Sequence, residues 1–293
     1  MPDTQPRRTL SQVEQSAYWE EGYLFPFDVL ARQEADHYRA ELEAMERDYK
    51  DRKTSGLPLP LVTYKRINAH IVMPFAAEIG LNERILDIVE GVLGPDIVLY
   101  SLEFLVKEAK TKHIVSMHQD LTYWGLGAND GVLTAWLALS DATQASGCMD
   151  FVRGSHKNPI LPHEDTFSED NLLSRGQEIQ VDVAEEDKVR DVLMAGQMSL
   201  HHGLTIHGSG PNVSDDRRIG VAIRYMSPHI ARDDGGKEFG IAARGDCDTG
   251  NIHLLQPPKG LFDADALATY DMVREDQAKV MMAGAKKNEG LYA

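Results

Sequence analysis

Apolar and polar residues follow two different rhythms along this chain, and the rhythm changes near residue 97. Before that point apolar positions recur every three to four residues, the period of a helix with one buried stripe. Ser11-Gln-Val-Glu14 has the spacing of a capping box and predicts a first helix running to about Gly22. Tyr23 to Phe27 reads as a short strand. Leu30, Tyr38, Leu42 and Met45, set among charges, predict a surface helix from Leu30 to about Tyr49. Lys50 to Pro60 holds a glycine and two prolines among polar residues, which makes it a loop and a candidate lid. Asn82 is placed to cap a helix whose apolar face is Ile85, Ile88, Val89 and Val92, with Gly94-Pro95 as its stop.

From Ile97 the pattern becomes short β-rich runs separated by turn residues. They are Ile97 to Val106, Ile114 to Asp120, Val132 to Leu139, Met149 to Val152, Met198 to His202, Thr205 to Ser209 and Ile219 to Tyr225. Runs of this kind predict a sandwich or barrel rather than βαβ units. His163 to Asp191 is acidic and poor in large apolar residues after Leu173, so it reads as a surface excursion. Ala264 to Lys279 predicts a closing helix, and Lys286 to Ala293 a frayed end. The expectation is a single domain over 1–293: a mostly helical part over 1–96, a β core over 97–230 and a C-terminal extension over 231–293.

Composition narrows the function classes. The net charge of −16 argues against nucleic acid, whose binding rests on neutralising phosphates, and leans against polyanionic acyl thioesters. No apolar run is long enough to span a bilayer, and no apolar segment follows Arg7 and Arg8 to make a signal peptide. Cys148 and Cys247 form no CxxC pair and no disulfide framework. They read as small buried residues in a reducing, cytoplasmic setting.

The candidate chemistry lies in two stretches, Met117-His118-Gln119-Asp120 and His207-Gly208-Ser209 through Arg218. An H-x-D pair followed much later by a lone histidine is the ligand order of a non-haem iron site, two imidazoles and one carboxylate on one face of the metal. On a strand His118 and Asp120 point the same way and Gln119 points off. His201 and His202 are rivals to His207. His201 has the same parity as His207, but six residues of strand is roughly 20 Å, too far to share one metal. Ser155-His156 reads as a turn. Arg217 or Arg218, at the mouth of the last strand, could grip a carboxylate through two parallel hydrogen bonds.

These stretches, with Ser146-Gly-Cys-Met-Asp-Phe-Val-Arg-Gly-Ser-His156, resemble the phytanoyl-CoA dioxygenase family of iron(II)- and 2-oxoglutarate-dependent oxygenases. The resemblance covers Leu99 to Tyr225 well and the N-terminal helices loosely. It implies a mainly β, double-stranded β-helix (jelly-roll, cupin-like) core with N-terminal helices packed outside. It implies His118, Asp120 and His207 as iron ligands, Arg218 and Ser209 on the distal carboxylate of 2-oxoglutarate, and Trp136 beside that cosubstrate, although Trp136 would serve equally as plain core. Fe(II), 2-oxoglutarate and O2 are the implied reactants, with succinate and CO2 released as a small metabolite is hydroxylated. The Asp120 carboxylate favours hydroxylation over the halogenation of relatives that have a small residue there; desaturation is a third outcome of the same chemistry. A cupin-like metal binder or isomerase that lacks 2-oxoglutarate is the rival, and Arg218 separates the two.

Substrate contacts are expected from Tyr123 and Trp124, just past the metal pair. Lys65-Arg66-Ile-Asn68-Ala-His70 reads first as a strand end with solvated charges, and second as a source of Arg66 or His70 to line the pocket. Arg224 reads first as a partner of surface carboxylates, and second as a group facing a substrate anion.

Overall fold

The computed structural model describes residues 7–122, 124–166, 168, 170–173, 176–180, 183–282 and 291–292. Helices fill most of the first third: α1 (Gln12–Glu21), then strand β1 (Tyr23–Asp28), α2 (Arg32–Tyr49), α3 (Arg52–Ser55), α4 (Leu61–Arg66), α5 (Ala69–Val72), α6 (Pro74–Gly80) and α7 (Glu83–Leu93). The strands follow as β2 (Ile97–Lys107), β3 (Val115–His118), β4 (Val132–Ala138), β5 (Met149–Val152), β6 (His163–Asp165), β7 (Gln177–Ile179) and β8 (Lys188–Asp191). After them come β9 (Gln197–His202), β10 (His207–Ser209), β11 (Arg218–Met226), β12 (Glu238–Arg244), β13 (Ile252–Leu255) and the closing helix α8 (Ala264–Met281). Among the described residues no helix is long and apolar enough to cross a membrane.

Local signals set the helix ends. The Ser11 side chain accepts from the Glu14 amide while Glu14 reaches back to the Ser11 amide, so two orphan donors are satisfied together. Asn82 accepts from the Arg84 amide and starts α7, which buries Ile85, Leu86, Ile88 and Val89. Lys65 to His70 departs from the expected strand end. Lys65 and Arg66 finish α4 and His70 lies in α5, because Tyr64, Ile67 and Ile71 need a helical turn to reach the core.

Two sheets face each other. A seven-stranded sheet runs β1-β9-β4-β11-β2-β12-β13, antiparallel except for the β12–β13 pair, and a four-stranded sheet runs β3-β10-β5-β8. Every residue of β4 is buried, as its central place requires. Its side chains alternate: Leu133, Ala135 and Leu137 pack under the helices, whereas Trp136 and Ala138 meet Met149 and Phe151 of the smaller sheet. On β11, Ile219, Val221, Ile223 and Tyr225 likewise turn to the helices. Alternation leaves Arg218, Gly220, Ala222 and Arg224 on the face between the sheets. Gly220 is required there, since a Cβ would sit 1.9 Å from the Trp136 indole. This is a jelly-roll core with helices packed on the outer face of its larger sheet.

Three further departures from expectation bear on the site. β12 and β13, beyond the expected 97–230 core, extend the larger sheet. The stretch from His163 to Asp191 is more than a surface excursion: it supplies β8 to the smaller sheet, and Asp191 is fully buried. Near the C-terminus, Leu291 and Tyr292 pack against the core, and the Leu291 carbonyl accepts from Arg274 at 3.1 Å. The remainder of the expected frayed end lies outside the described residues.

Candidate active site

The site lies between the two sheets. β3 ends at His118, and Asp120 begins the short 3-10 turn Asp120–Thr122. Strand alternation is therefore not what points His118 and Asp120 the same way; the turn carries Asp120 back under His118. Gln119 faces away, as expected. Its side chain holds the Leu204 and Pro159 carbonyls and the Leu161 amide, tying together the loops around the turn. β10 is the next strand, and His207 stands directly opposite His118 in register.

One ligand atom from each of His118, Asp120 and His207 lies within 4.8 Å of the others, and all three side chains are buried. Asp120 Oδ1 is 3.5 Å from His118 Nε2 and 4.0 Å from His207 Nε2. Each imidazole has its Nδ1 fixed by the carbonyl two residues earlier, His118 on Ser116 and His207 on Thr205, both at 2.9 Å. A carbonyl only accepts, so Nδ1 carries the proton in each ring and the Nε2 lone pair faces the centre. Asp120 is oriented in the same manner, with the Thr134 hydroxyl donating to its Oδ2 at 2.7 Å and leaving Oδ1 to the centre. Burial alone would raise the Asp120 carboxyl; the Arg224 guanidinium, foremost among the groups around it, outweighs that and holds the carboxyl well below the usual carboxylate range. The donor set, two imidazole nitrogens and a carboxylate oxygen, suits a divalent first-row metal and leaves the opposite face open.

Beyond the triad lies a compartment lined by Trp136, Ser209 and Arg218. Arg218 is 2% exposed, sits 5.2 Å over the Trp136 ring, and donates once, from Nη1 to the Gly147 carbonyl at 3.2 Å. Its Nε and Nη2 have no hydrogen-bond partner among the described residues. Burial pulls the guanidinium down to about 10, so it stays charged. A buried cation with two idle donors is costly unless an anion completes it, and a carboxylate fits that fork. A 2-oxoglutarate reaching from Arg218 to the triad therefore fits this chain. Arg217, its neighbour, turns outward to Glu43, Glu46 and Glu108.

Lys107 was not anticipated. It pairs with Arg218 across β2 and β11, is fully buried, and donates from Nζ to Ser209 Oγ at 2.7 Å and to the Gly210 carbonyl at 2.5 Å. Burial and the nearby Arg218 pull its ammonium down to about 6. From about pH 6 to the unfolded value of 10.5 the unfolded chain therefore holds a proton that the folded chain lacks, so folding stability rises with pH across that window. Lys107→Met removes this slope. Urea unfolding at pH 7 and pH 9 should show wild type gaining about 1–2 kcal/mol on the variant, against a ceiling of ~1.4 kcal/mol per pH unit. A difference that ignores pH would refute the assignment.

On the open side of the triad is a second compartment, lined by Arg66, Tyr100, Glu103, Trp124, Arg224 and Tyr292 among others. Arg224 does not pair with surface carboxylates. It lies 12% exposed with Nη1 at 2.5 Å from Glu103, Nη2 at 3.6 Å from Asp120 Oδ1, and its guanidinium 5.0 Å over the Trp124 ring. Arg66, read first as solvated, is also inside, donating to Glu103 at 3.1 Å and to the Leu172 carbonyl at 2.6 Å. Glu103 was missed altogether. His70 is buried in α5, neither ring nitrogen has a hydrogen-bond partner among the described residues, and it lines neither compartment. Tyr123 lies outside the described residues. The Lys50 to Pro60 stretch, expected as a lid, contains α3 and contributes to neither compartment.

His201 corrects the distance given for it. β9 ends at His202 and the chain turns through Gly203 and Leu204, so the path to His207 is folded rather than straight. Its ring centroid is 4.3 Å from that of His207, and its Nε2 is 3.6 Å from Asp120 Oδ2. His202 turns away to Asp130 at 3.2 Å, and His156, in a 3-10 turn, reaches the Trp19 carbonyl at 3.1 Å. Both cysteines are free and buried.

Known proteins resemble this chain in sequence and in shape. A probable phytanoyl-CoA dioxygenase of Caenorhabditis elegans is 31% identical over 116 residues, 40% of this chain and 37% of that protein. A probable alpha-ketoglutarate-dependent hypophosphite dioxygenase of Stutzerimonas stutzeri is 27% identical over 73% of this chain and 78% of its own. The structure of the non-haem monooxygenase ThoJ in its apo form superposes with a TM-score of 0.81 at 31% identity, over 92% of this chain and 97% of that one. Its nickel complex gives 0.73 at 29% identity, over 90% and 97%. The phytanoyl-CoA dioxygenase (PhyH) profile matches residues 18–220, most of the length. A match of that extent makes the chain a member of the phytanoyl-CoA dioxygenase family, and so a 2-oxoglutarate-dependent non-haem iron dioxygenase.

Proposed function

We propose that this protein hydroxylates a small organic metabolite bearing an anionic group: R–H, 2-oxoglutarate and O2 give R–OH, succinate and CO2. The observation that carries the reading is the pairing of a preorganised His118–Asp120–His207 triad with a buried Arg218 that has two idle donors. In this reading the triad holds Fe(II), and Arg218 with Ser209 holds the distal carboxylate of 2-oxoglutarate. The bound iron supplies the activation of oxygen and the oxidation of the cosubstrate. Trp136 walls the cosubstrate, and the close-packed residues around it exclude water. Lys107 fixes the Ser209 hydroxyl, so the rotor is set before the ligand arrives.

The compartment on the open side supports the substrate class. With Asp120 committed to the metal, Arg66 and Arg224 face one carboxylate, Glu103, which leaves a surplus of one positive charge among the described residues of the wall. Tyr100, Trp124 and Tyr292 supply aromatic walls for the rest of the molecule. The relative named for hypophosphite is named for a small oxyanion, in keeping with such a compartment. Two free, buried cysteines suit a reducing compartment such as the cytoplasm.

The test is a panel of small organic acids with Fe(II), 2-oxoglutarate and 18O2, scored by succinate release and label in the product. One labelled oxygen in a product that gains one oxygen supports hydroxylation; desaturated or halogenated product overturns that part alone. Anaerobically, Fe(II) with 2-oxoglutarate should give a weak visible charge-transfer band. If wild type shows none, the chain is better read as a cupin-like metal binder without the cosubstrate.

A further inference from the structure

His201 lies against the triad without belonging to it, and it is among the most buried polar groups of the core. It is 1% exposed, it lines the cosubstrate compartment, and among the described residues neither ring nitrogen has a partner within hydrogen-bond distance, Asp120 Oδ2 lying just beyond it at 3.6 Å. Buried polar side chains nearly always find a partner in the protein, water or ligand, and one that does not calls for a cause. The unpaired nitrogens adjoin the metal triad, with Nε2 3.6 Å from Asp120 Oδ2 and the ring 4.3 Å from His207. Asp120 Oδ2 is already served by the Thr134 hydroxyl at 2.7 Å, so His201 is not needed to orient it.

Strand register gives the depth. On β9 and β4, His201 stands opposite Thr134 and Ser199 opposite Trp136. Trp136 lies under Arg218, and Thr134 touches Asp120. The two pairs are one two-residue step apart, about 7 Å along a strand, a span that a five-carbon diacid covers. A diacid anchored on Arg218 thus brings its other end level with His201.

We propose that His201 is a cosubstrate-binding residue, donating a ring N–H to the 2-oxoglutarate carboxylate at the metal-chelating end. This rests on the reading of Arg218 as the anchor of the distal carboxylate. Arg218 then holds one end of the dianion and His201 the other, and the metal is not alone in setting the orientation of the keto acid. His118 and His207 cannot do this, because their Nδ1 protons are committed to backbone carbonyls.

The experiment uses the full chain loaded with Mn(II), which does not turn over, and titrates two probes by calorimetry. 2-Oxoglutarate carries both carboxylates; levulinate keeps the distal carboxylate and the ketone but has a methyl in place of the chelating carboxylate. His201→Phe should weaken 2-oxoglutarate about tenfold or more, the scale of one charge-assisted hydrogen bond. Levulinate and Mn(II) affinities should stay within about twofold. His201→Asn, which keeps a donor on a smaller side chain, should recover part of the loss and covers the case in which the phenylalanine variant fails to fold. In the anaerobic Fe(II) complex, the charge-transfer band of each variant should shift from that of wild type. Equal weakening of both probes, unchanged 2-oxoglutarate affinity or loss of Mn(II) each overturns the proposal, the last by making His201 a ligand. Absence of 2-oxoglutarate binding in wild type would instead sink the functional reading beneath it.

Discussion

Arg218→Met should raise the 2-oxoglutarate concentration needed for half-maximal succinate release by about 100-fold or more. The guanidinium is buried and makes only one hydrogen bond among the described residues, so on the proposed assignment most of its donor capacity is left for the ligand. Truncating one partner of a buried, hydrogen-bonded charge pair costs roughly 2–5 kcal/mol, and each ~1.4 kcal/mol is tenfold in affinity. Arg218→Lys keeps a cation but loses the planar fork, so an intermediate loss of about tenfold is expected. The protein without ligand should respond in the opposite direction. A buried cation with idle donors is replaced by an apolar chain of similar length, a change that is often neutral or stabilising. The expected signature is therefore a melting temperature that holds or rises without 2-oxoglutarate, together with loss of the stabilisation that 2-oxoglutarate confers on wild type. If Arg218→Met binds 2-oxoglutarate normally, the carboxylate is held elsewhere.

The parts of this molecule that could be read from the chain are those fixed by local chemistry or by motif. The capping box at Ser11, the Asn82 cap and the apolar stripe of α7 need only neighbours within a turn. The alternation along β11 separates Arg217 from Arg218 without any knowledge of the fold. The same alternation puts Arg224, six residues on, on the inner face with Arg218. It was a usable signal, outweighed by the general tendency of charges to pair at surfaces. Glu103 and Lys107 had a signal of another kind, as isolated charges in the otherwise apolar strand Ile97–Lys107, since a charge in a central strand must find a buried partner.

Other features were set by distant parts of the chain. Arg66 enters the site because α4 and α5 are held helical by packing, and no periodicity is visible in pieces of six and four residues. His201 was excluded by treating Met198 to Ser209 as extended, whereas the turn after His202 folds that path back. Leu291 and Tyr292 follow a polar stretch, and only the mouth of the cleft gives them something to pack on.

Asp120→Ala should abolish turnover, with succinate release at or below about a thousandth of wild type, a loss of ~4 kcal/mol at the barrier. Two things would be lost at once. On the proposed assignment the metal would keep two imidazoles and no anionic ligand, and Arg224, with Nη2 at 3.6 Å from the vanished Oδ1, would lose a nearby negative charge beside a divalent ion. Glu103 remains on Arg224 at 2.5 Å, so the arginine is not stranded and the fold should survive. The loss should therefore appear as weakened metal binding, about 100-fold or more by competition with a chelator, on the ~3 kcal/mol scale of a truncated charge pair. Asp120→Asn separates the contributions. It preserves an oxygen for the Thr134 hydroxyl and the shape of the turn but removes the charge. If charge decides, Asn resembles Ala in metal affinity while resembling wild type in melting temperature. Turnover that persists unchanged in Asp120→Ala would mean that His118, Asp120 and His207 are not the metal's ligands, whatever their geometry.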